Sequence, residues 1–231
     1  MIITIITLFP EMFQGPFAHS IIKNAIGKNL VKINFVNMRN FGIGKHKIVD
    51  DKPYGGGKGM IIRVDVLNSA IEYAKKMYKT LDKYQKIILL DPTGRTFNQK
   101  VAFKLSKVKH LIMICGHYEG FDARIKIYVD DIISIGDFIS TGGEIPAMLI
   151  TDSIIRLIKG VLPENVITEE SFSTSKKQAF LEHPQYTRPK VYKKYKVPEV
   201  LLSGDHQKIA DFRKKSSREL TSKIRPDLLK T

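Results

Sequence analysis

The sequence predicts an α/β fold, with a mostly parallel sheet covered by helices over residues 1–160 and a small helical domain at the C-terminal end. Three observations lead there. Short apolar runs alternate with helical patterns through the first 160 residues. A segment rich in Glu, Ser, Thr and Asn, without periodicity, follows at 161–175. The rest, 176–231, is basic and carries one clear helical pattern.

The apolar runs at 2–8, 31–36, 87–90, 111–115 and 132–135 read as buried strands. The first ends near Pro10; it has neither the basic flank nor the small-residue cleavage site of a signal peptide. Asp65 is placed to cap a helix with Val66, Leu67, Ala70, Ile71, Ala74 and Met77 on one stripe. Asn98 is placed to cap another, with Val101, Ala102, Leu105 and Val108 turned inward. A third helix spans 144–159 through Met148, Ile150, Ile154, Ile155 and Ile158, with Gly160 as its stop. The segment 161–175 is expected to be a flexible linker. Beyond it, 205–215 reads as a helix with Ile209, Ala210 and Phe212 on a small core. There is no internal repeat.

The chain has 231 residues, enough for a sizeable core, and its 43% hydrophobic and 26% charged residues are ordinary for a globular protein. A single cysteine, Cys115, excludes an internal disulfide and a cysteine metal cluster and fits a reducing compartment. No apolar run approaches the roughly 20 residues of a membrane helix. The expectation is a cytoplasmic protein that does not engage a membrane. The formal charge of +15 points to a polyanionic partner, although 29 of the 38 basic residues are lysine and genome composition can produce that too. Distribution is the stronger sign: 176–231 carries 15 Lys and Arg against 6 Asp and Glu, which makes it the candidate for phosphate contact.

Three loops after apolar runs hold unusual residues: Leu90-Asp-Pro-Thr-Gly-Arg95, Cys115-Gly-His-Tyr-Glu-Gly-Phe-Asp122 and Ile135-Gly-Asp-Phe-Ile-Ser-Thr-Gly-Gly-Glu-Ile-Pro146. In open α/β sheets ligands bind beyond the carboxyl ends of the strands, and glycine there lets backbone approach a ligand closely. Any one of these loops read alone is a turn; three at successive strand ends predict a shared pocket. Gly42-Ile-Gly44 lacks the third glycine of a dinucleotide fingerprint, and no segment has Walker A spacing. Tyr54-Gly-Gly-Gly-Lys58 is either a phosphate cradle or a flexible turn. The six histidines show no metal-ligand spacing, so no metal site is assigned, and Cys115 reads as a buried small hydrophobe, not the partner of His117 in a nucleophilic pair.

Longer motifs carry a resemblance. They are Leu8-Phe-Pro-Glu-Met-Phe13, Val49-Asp-Asp-Lys-Pro-Tyr-Gly-Gly-Gly-Lys-Gly-Met60, Cys115-Gly-His-Tyr-Glu-Gly120, Ser134-Ile-Gly-Asp-Phe138, Thr141-Gly-Gly-Glu-Ile-Pro-Ala-Met148, His183-Pro-Gln-Tyr-Thr-Arg-Pro189 and Val197-Pro-Glu-Val-Leu-Leu-Ser-Gly204. Together they span nearly the whole chain, which resembles the bacterial tRNA (guanine-N1)-methyltransferases of the SPOUT superfamily. These enzymes methylate the guanosine 3′ of the anticodon, tRNA position 37. The resemblance implies a trefoil-knotted parallel-sheet methyltransferase domain over 1–160, a flexible linker over 161–175 and a helical, basic tRNA-binding domain over 176–231. It also implies a homodimer with its active sites at the subunit interface.

By resemblance, the knot loops hold S-adenosylmethionine through Leu90, Pro92, Gly94, Gly116, Tyr118, Glu119, Ile135, Gly136, Asp137, Phe138, Ile139, Ser140, Gly142, Gly143 and Pro146. A sulfonium methyl is already electrophilic, so the protein must align it with N1 and remove the N1 proton. The family assigns proton removal to an aspartate in an Asp-Ser-Phe motif; here Glu170 of Glu169-Glu-Ser-Phe172 aligns with it, one methylene longer, with Glu169 beside it. Arg156 matches the helix arginine that steadies charge on the guanine or orients it. Glu119 matches the residue that reads the guanine edge, and Asp51, Tyr54, Gly55, Gly56 and Gly57 match a loop beside the target base.

His117 and Gln185 stand where the family has arginine and histidine, and Phe138 and Ser140 where it often has Tyr and Leu. Lys193, Lys194, Lys196, Arg213, Lys214, Lys215 and Arg218 are expected to track RNA phosphates, and Tyr186, Tyr192 and Tyr195 to stack on bases or pack. The sequence leaves Mg2+ assistance open. The alternative is a catalytically impaired, basic tRNA-binding protein, motivated by the Asp-to-Glu change. A nucleotide hydrolase would rest on the 55–58 loop alone.

Overall fold

A computed structural model describes residues 1–173 and 179–229. Positions 174 and 175 of the expected linker, and 176–178, 230 and 231 of the expected C-terminal domain, lie outside the described residues. In chain order the elements are β1 (Ile2–Thr7), α1 (Gln14–Phe17), α2 (Ser20–Gly27), β2 (Lys32–Asn37), β3 (Asp50–Asp51), β4 (Ile61–Ile62), α3 (Val64–Lys76), β5 (Gln85–Thr96), α4 (Gln99–Leu105), β6 (His110–Ile114), β7 (Asp131–Ser134) and α5 (Glu144–Ile155). Then come α6 (Glu164–Glu169), β8 (Val191–Tyr192), β9 (Tyr195–Lys196) and α7 (His206–Ile224). The chain divides into two compact units, Met1–Leu162 and Pro163–Thr231.

Five strands of the first unit form one sheet in the order β2-β1-β6-β5-β7, and every pairing is parallel. Side chains alternate between its two faces, and both faces of the central strands are buried, so those strands read as nearly continuous apolar runs, whereas edge strand β2 carries exposed Lys32 and Phe35. Ile3, Ile5, Ile88, Leu90, Leu111 and Met113 join the core under α2, α4 and α5. Their neighbours Ile6, Ile87, Leu89, Ile112 and Ile114 join the opposite core under α3. This is the expected α/β architecture.

The local expectations fared unevenly. Asn98 caps α4, its side chain accepting from the Val101 amide at 3.1 Å. Asp65 does not cap α3: the helix begins at Val64, with Arg63 at the N-cap. The Arg63 guanidinium holds Asp65 at 2.9 and 3.2 Å and lowers its carboxyl below the usual range. The third expected helix, 144–159, ends as α5 at Ile155, and Gly160 follows with φ +87°. The strand expected at 87–90 runs on to Thr96, because the Leu90–Arg95 loop bulges from β5 and rejoins β7: Leu90 and Arg95 both pair with Ile133.

In the second unit, residues 164–169, part of the segment expected as a flexible linker, form α6. Six residues are too few to show an apolar period, and β-branched Val166, Ile167 and Thr168 hid the helix further. Helix α7 starts after Asp205, whose side chain accepts from the Lys208 amide at 3.1 Å, and continues past the expected end at 215. Ile209 and Phe212 are half-buried, but Ala210, expected on the core side, is exposed. The inward stripe instead continues through Leu220 and Thr221. Its polar members, half-buried Ser217 and buried Thr221, are satisfied there: Ser217 donates to the Leu181 carbonyl at 2.6 Å and Thr221 accepts the Leu181 amide at 3.0 Å. Among the described residues no helix is long and apolar enough to cross a membrane.

Candidate active site

The strand order decides where the three unusual loops meet. β6, β5 and β7 are adjacent and parallel, so the loops that leave them emerge at one edge of the sheet. Between them lies a cavity of about 370 Å³, within the range of small-molecule sites. The first loop contributes Leu90, Asp91 and Pro92; the second Gly116, His117, Tyr118, Glu119, Gly120 and Phe121. Ile133 and Ser134 at the end of β7 continue the wall into Ile135, Phe138, Ile139, Ser140, Thr141, Gly142, Gly143 and Pro146.

The walls are built by close backbone approach. Gly143 donates its amide to the Gly116 carbonyl at 2.7 Å, and a Cβ on Gly143 would stand 2.5 Å from the Gly116 nitrogen. A Cβ on Gly116 would lie 2.9 Å from the Phe121 ring. The bulged loop of β5 is pinned by Arg95, whose guanidinium holds Asp131 at 2.6 and 3.1 Å. Tyr118 adopts φ +59°, a left-handed conformation that costs about 1–3 kcal/mol in a non-glycine residue and clusters at functional sites.

The cavity thus brings together Leu90, Pro92, Gly116, Tyr118, Glu119, Ile135, Phe138, Ile139, Ser140, Gly142, Gly143 and Pro146 from the expected donor set. Gly94, Gly136 and Asp137 do not line it. Gly94 abuts the β7 backbone, where a Cβ would meet the Ile132 carbonyl carbon at 2.4 Å; Gly136, at φ +150°, lies against the Phe138 ring. Asp91, His117, Gly120, Phe121, Ile133, Ser134 and Thr141 line the cavity without having been expected to. Five of them sit inside the quoted loops, so taking each loop whole would have found them. Ser134 opens the quoted Ser134–Phe138 motif, and Ile133 looks like an ordinary strand residue in sequence.

The Gly-rich segment joins the same wall. Glu119 donates its amide to the Met60 carbonyl at 3.0 Å, and its side chain lies against Gly59. Gly55, Gly56 and Gly57 have φ of +84°, +82° and +133°, conformations that glycine alone adopts without strain. Tyr54 beside them is 100% exposed, and Asp51 is held by Arg63 at 3.0 Å. Cys115 is buried and its thiol is pushed well above the ordinary value, by burial first and by the Glu144 charge second, so a nucleophilic thiolate is disfavoured there. Among the described residues no group of three or more His, Cys, Asp or Glu side chains could hold a metal ion.

Arg156 caps the far end of α5 and is half-buried. Twelve residues of helix place it about 18 Å along the axis from the turn that lines the cavity. Glu170 ends α6 in the second unit, half-buried, with its carbonyl accepting the Ser173 amide at 3.3 Å. Glu169 is exposed. Lys214 and Lys215 lie exposed on α7; Lys215 reaches only a loose contact with Glu219 at 3.9 Å. The β8–β9 hairpin sets Tyr192 opposite Tyr195, both exposed, with Lys193 and Lys194 at its tip. Each lysine lies 5.7 Å from the ring of the neighbouring tyrosine.

The chain matches a family model described as tRNA (Guanine-1)-methyltransferase TrmD over residues 1–231. It is 49% identical over 232 residues to a tRNA (guanine-N(1)-)-methyltransferase of Caldanaerobacter subterraneus subsp. tengcongensis, covering 100% of this chain and 92% of that relative. A protein of the same name from Clostridium botulinum is 51% identical, with 100% and 92% covered. One from Endomicrobium trichonymphae is 47% identical, with both chains covered in full.

Proposed function

The chain belongs to the tRNA (guanine-N1)-methyltransferase family, and from that premise we propose that it moves the methyl group of S-adenosylmethionine to N1 of the guanosine at tRNA position 37, in the cytoplasm. The observation that carries this reading is the cavity enclosed by three loops at the ends of β6, β5 and β7. Its volume and glycine-lined walls suit a bent nucleoside held by backbone groups, because side chains at Gly116, Gly142 or Gly143 would collide with the walls. The close approach of Gly143 to Gly116 supports the knotted SPOUT fold, in which the chain passes through its own loop.

The donor supplies an electrophilic methyl on a positively charged sulfur. The residues of this chain do the rest. Leu90, Pro92, Tyr118, Ile135, Phe138 and Ser140 orient the donor, with Gly94, Gly136 and Asp137 shaping the loops behind it. Glu119 accepts from the N–H edge of the guanine, while Asp51, Tyr54, Gly55, Gly56 and Gly57 close over the base. Glu170 accepts the N1 proton as N1 bonds to the methyl carbon and the C–S electron pair stays on sulfur. Arg156 steadies the charge that develops on O6.

Helix α5 carries Arg156 away from the cavity of its own chain, which supports a homodimer in which a second copy supplies Arg156 and Glu170. The second unit binds the anticodon stem: Lys214 and Lys215, with the hairpin lysines, meet phosphates, and the target guanosine leaves its stack to enter the site. The test is direct. Purified protein, S-adenosylmethionine and unmodified tRNA should yield 1-methylguanosine at position 37. Tight tRNA binding without transfer would instead support the impaired RNA-binding protein.

A further inference from the structure

Glu144 is a carboxylate in the interior, 2% exposed, in the first turn of α5. Its Oε1 accepts from the Thr7 hydroxyl at 2.7 Å. That hydroxyl accepts the Phe9 amide at 3.0 Å, so its proton is turned toward Glu144. No ion pair among the described residues involves Glu144. The helix terminus favours negative charge but does not neutralise it, and a buried carboxylate without a counter-ion is expensive.

The carboxylate stands directly behind the cavity wall. Oε2 lies 2.6 Å from where a Cβ on Gly142 would sit, and Gly142 and Gly143 line the cavity. The thickness of those two residues separates the charge from the ligand space. Where Gly143 packs on Cys115 and Gly116, the Glu144 charge is the second cause, after burial, of the raised Cys115 thiol.

We propose that Glu144 is the buried counter-charge for a cationic ligand in this cavity, and that it makes the site discriminate between the sulfonium donor and the neutral thioether left after transfer. The proposal rests on reading the cavity as the S-adenosylmethionine site. When the C–S bond breaks and its electron pair stays on sulfur, the ligand loses its positive charge and with it the attraction to Glu144. The spent donor is then released in favour of a fresh one. Glu144 touches neither ligand; it acts through the wall. Coulomb attraction over that separation, at the effective dielectric of a protein, corresponds to roughly tenfold in relative affinity.

The experiment is calorimetric titration of the full chain with S-adenosylmethionine, the unreactive cationic analogue sinefungin, and S-adenosylhomocysteine. Glu144→Gln keeps shape and the acceptor for Thr7 but removes the charge. It should weaken both cationic ligands roughly tenfold and the neutral one by about twofold or less. Thr7→Ser, which keeps both the charge and its hydrogen-bond donor, should preserve the wild-type ratio. If Glu144→Gln does not fold, Thr7→Val combined with Glu144→Met removes both members of the hydrogen bond and gives the same readout. An unchanged ratio of cationic to neutral affinity in the charge-removing variant overturns the proposal while leaving the donor site standing. A wild-type chain that binds none of the three ligands overturns the donor site and the proposal together.

Discussion

The Gly143 amide and the Gly116 carbonyl, 27 residues apart, meet at 2.7 Å and join the loop after β6 to the first turn of α5. A methyl group on Gly143 has nowhere to go, because the atoms it would strike, the Gly116 nitrogen and Cys115 Cα at 2.5 and 2.6 Å, are backbone. Gly143→Ala should therefore lower stability by about 1–3 kcal/mol and weaken donor binding roughly tenfold or more. Urea unfolding and calorimetry measure both, and wild-type affinity in the variant would show that this wall is not part of the donor site.

The proposed proton removal by Glu170 predicts that Glu170→Ala loses transfer on the order of 10²–10⁴-fold in single-turnover rate. Affinity for donor and for tRNA should stay near wild type. Glu169→Ala should remain close to wild type in rate. The reverse pattern would move the base one residue back.

The proposed sharing of active sites between two copies of the chain predicts complementation. Glu170→Ala and Gly116→Val chains, each inactive alone, should recover about a quarter of wild-type sites when co-expressed and purified as the mixed dimer population. A side chain on Gly116 would meet the Phe121 ring, which lines the same cavity, so Gly116→Val disrupts the donor wall. Absence of recovered activity in mixed dimers would place Glu170 over the cavity of its own chain.

Phosphate contact by α7 predicts a salt signature. Replacing Lys214 and Lys215 by Ala should raise the apparent Kd for tRNA, with donor affinity unchanged. The slope of log K against log salt should become shallower by about 0.7–0.9 for each phosphate that is no longer neutralised. Weaker binding with an unaltered slope would mean that these lysines do not meet phosphate.

Burial lowers the His110 imidazole to about 4 from its ordinary 6.5, and its Nδ1 is buried without a hydrogen-bond partner. The unfolded chain therefore binds a proton between those two values that the folded chain refuses. The stability tied to this neutral histidine is complete above about 6.5 and is lost as pH falls from 6.5 toward 4. The loss is on the order of 3 kcal/mol. His110→Gln should flatten the fall in denaturant stability between neutral pH and pH 4.5 by about 2 kcal/mol, and an identical pH profile would refute the assignment.

Much of this molecule was legible along the chain. The five apolar runs marked the five strands of the sheet, because strands buried on both faces carry few polar positions; only edge strand β2, with Lys32 and Asn34, breaks the pattern. Asn98 was readable as a cap because capping is a contact between residues three apart. The three loops, the Gly55–Gly57 turn and the basic second unit were also visible. Each depends on local residue chemistry.

What only the tertiary structure decided depends on partners far apart in sequence. Strand order put β6, β5 and β7 side by side and so turned three separate loops into one cavity. Asp65 is held by the Arg63 guanidinium and does not cap α3, and on the face of α7 that Ala210 shares with Ser217 and Thr221 only the latter two find cover, from Leu181. Glu144 read as one more charged residue opening a helix; its meeting with Thr7, 137 positions away, makes it a buried charge behind the cavity wall. Periodicity and capping are short-range, whereas burial and charge environment are set by whatever the folded chain brings alongside.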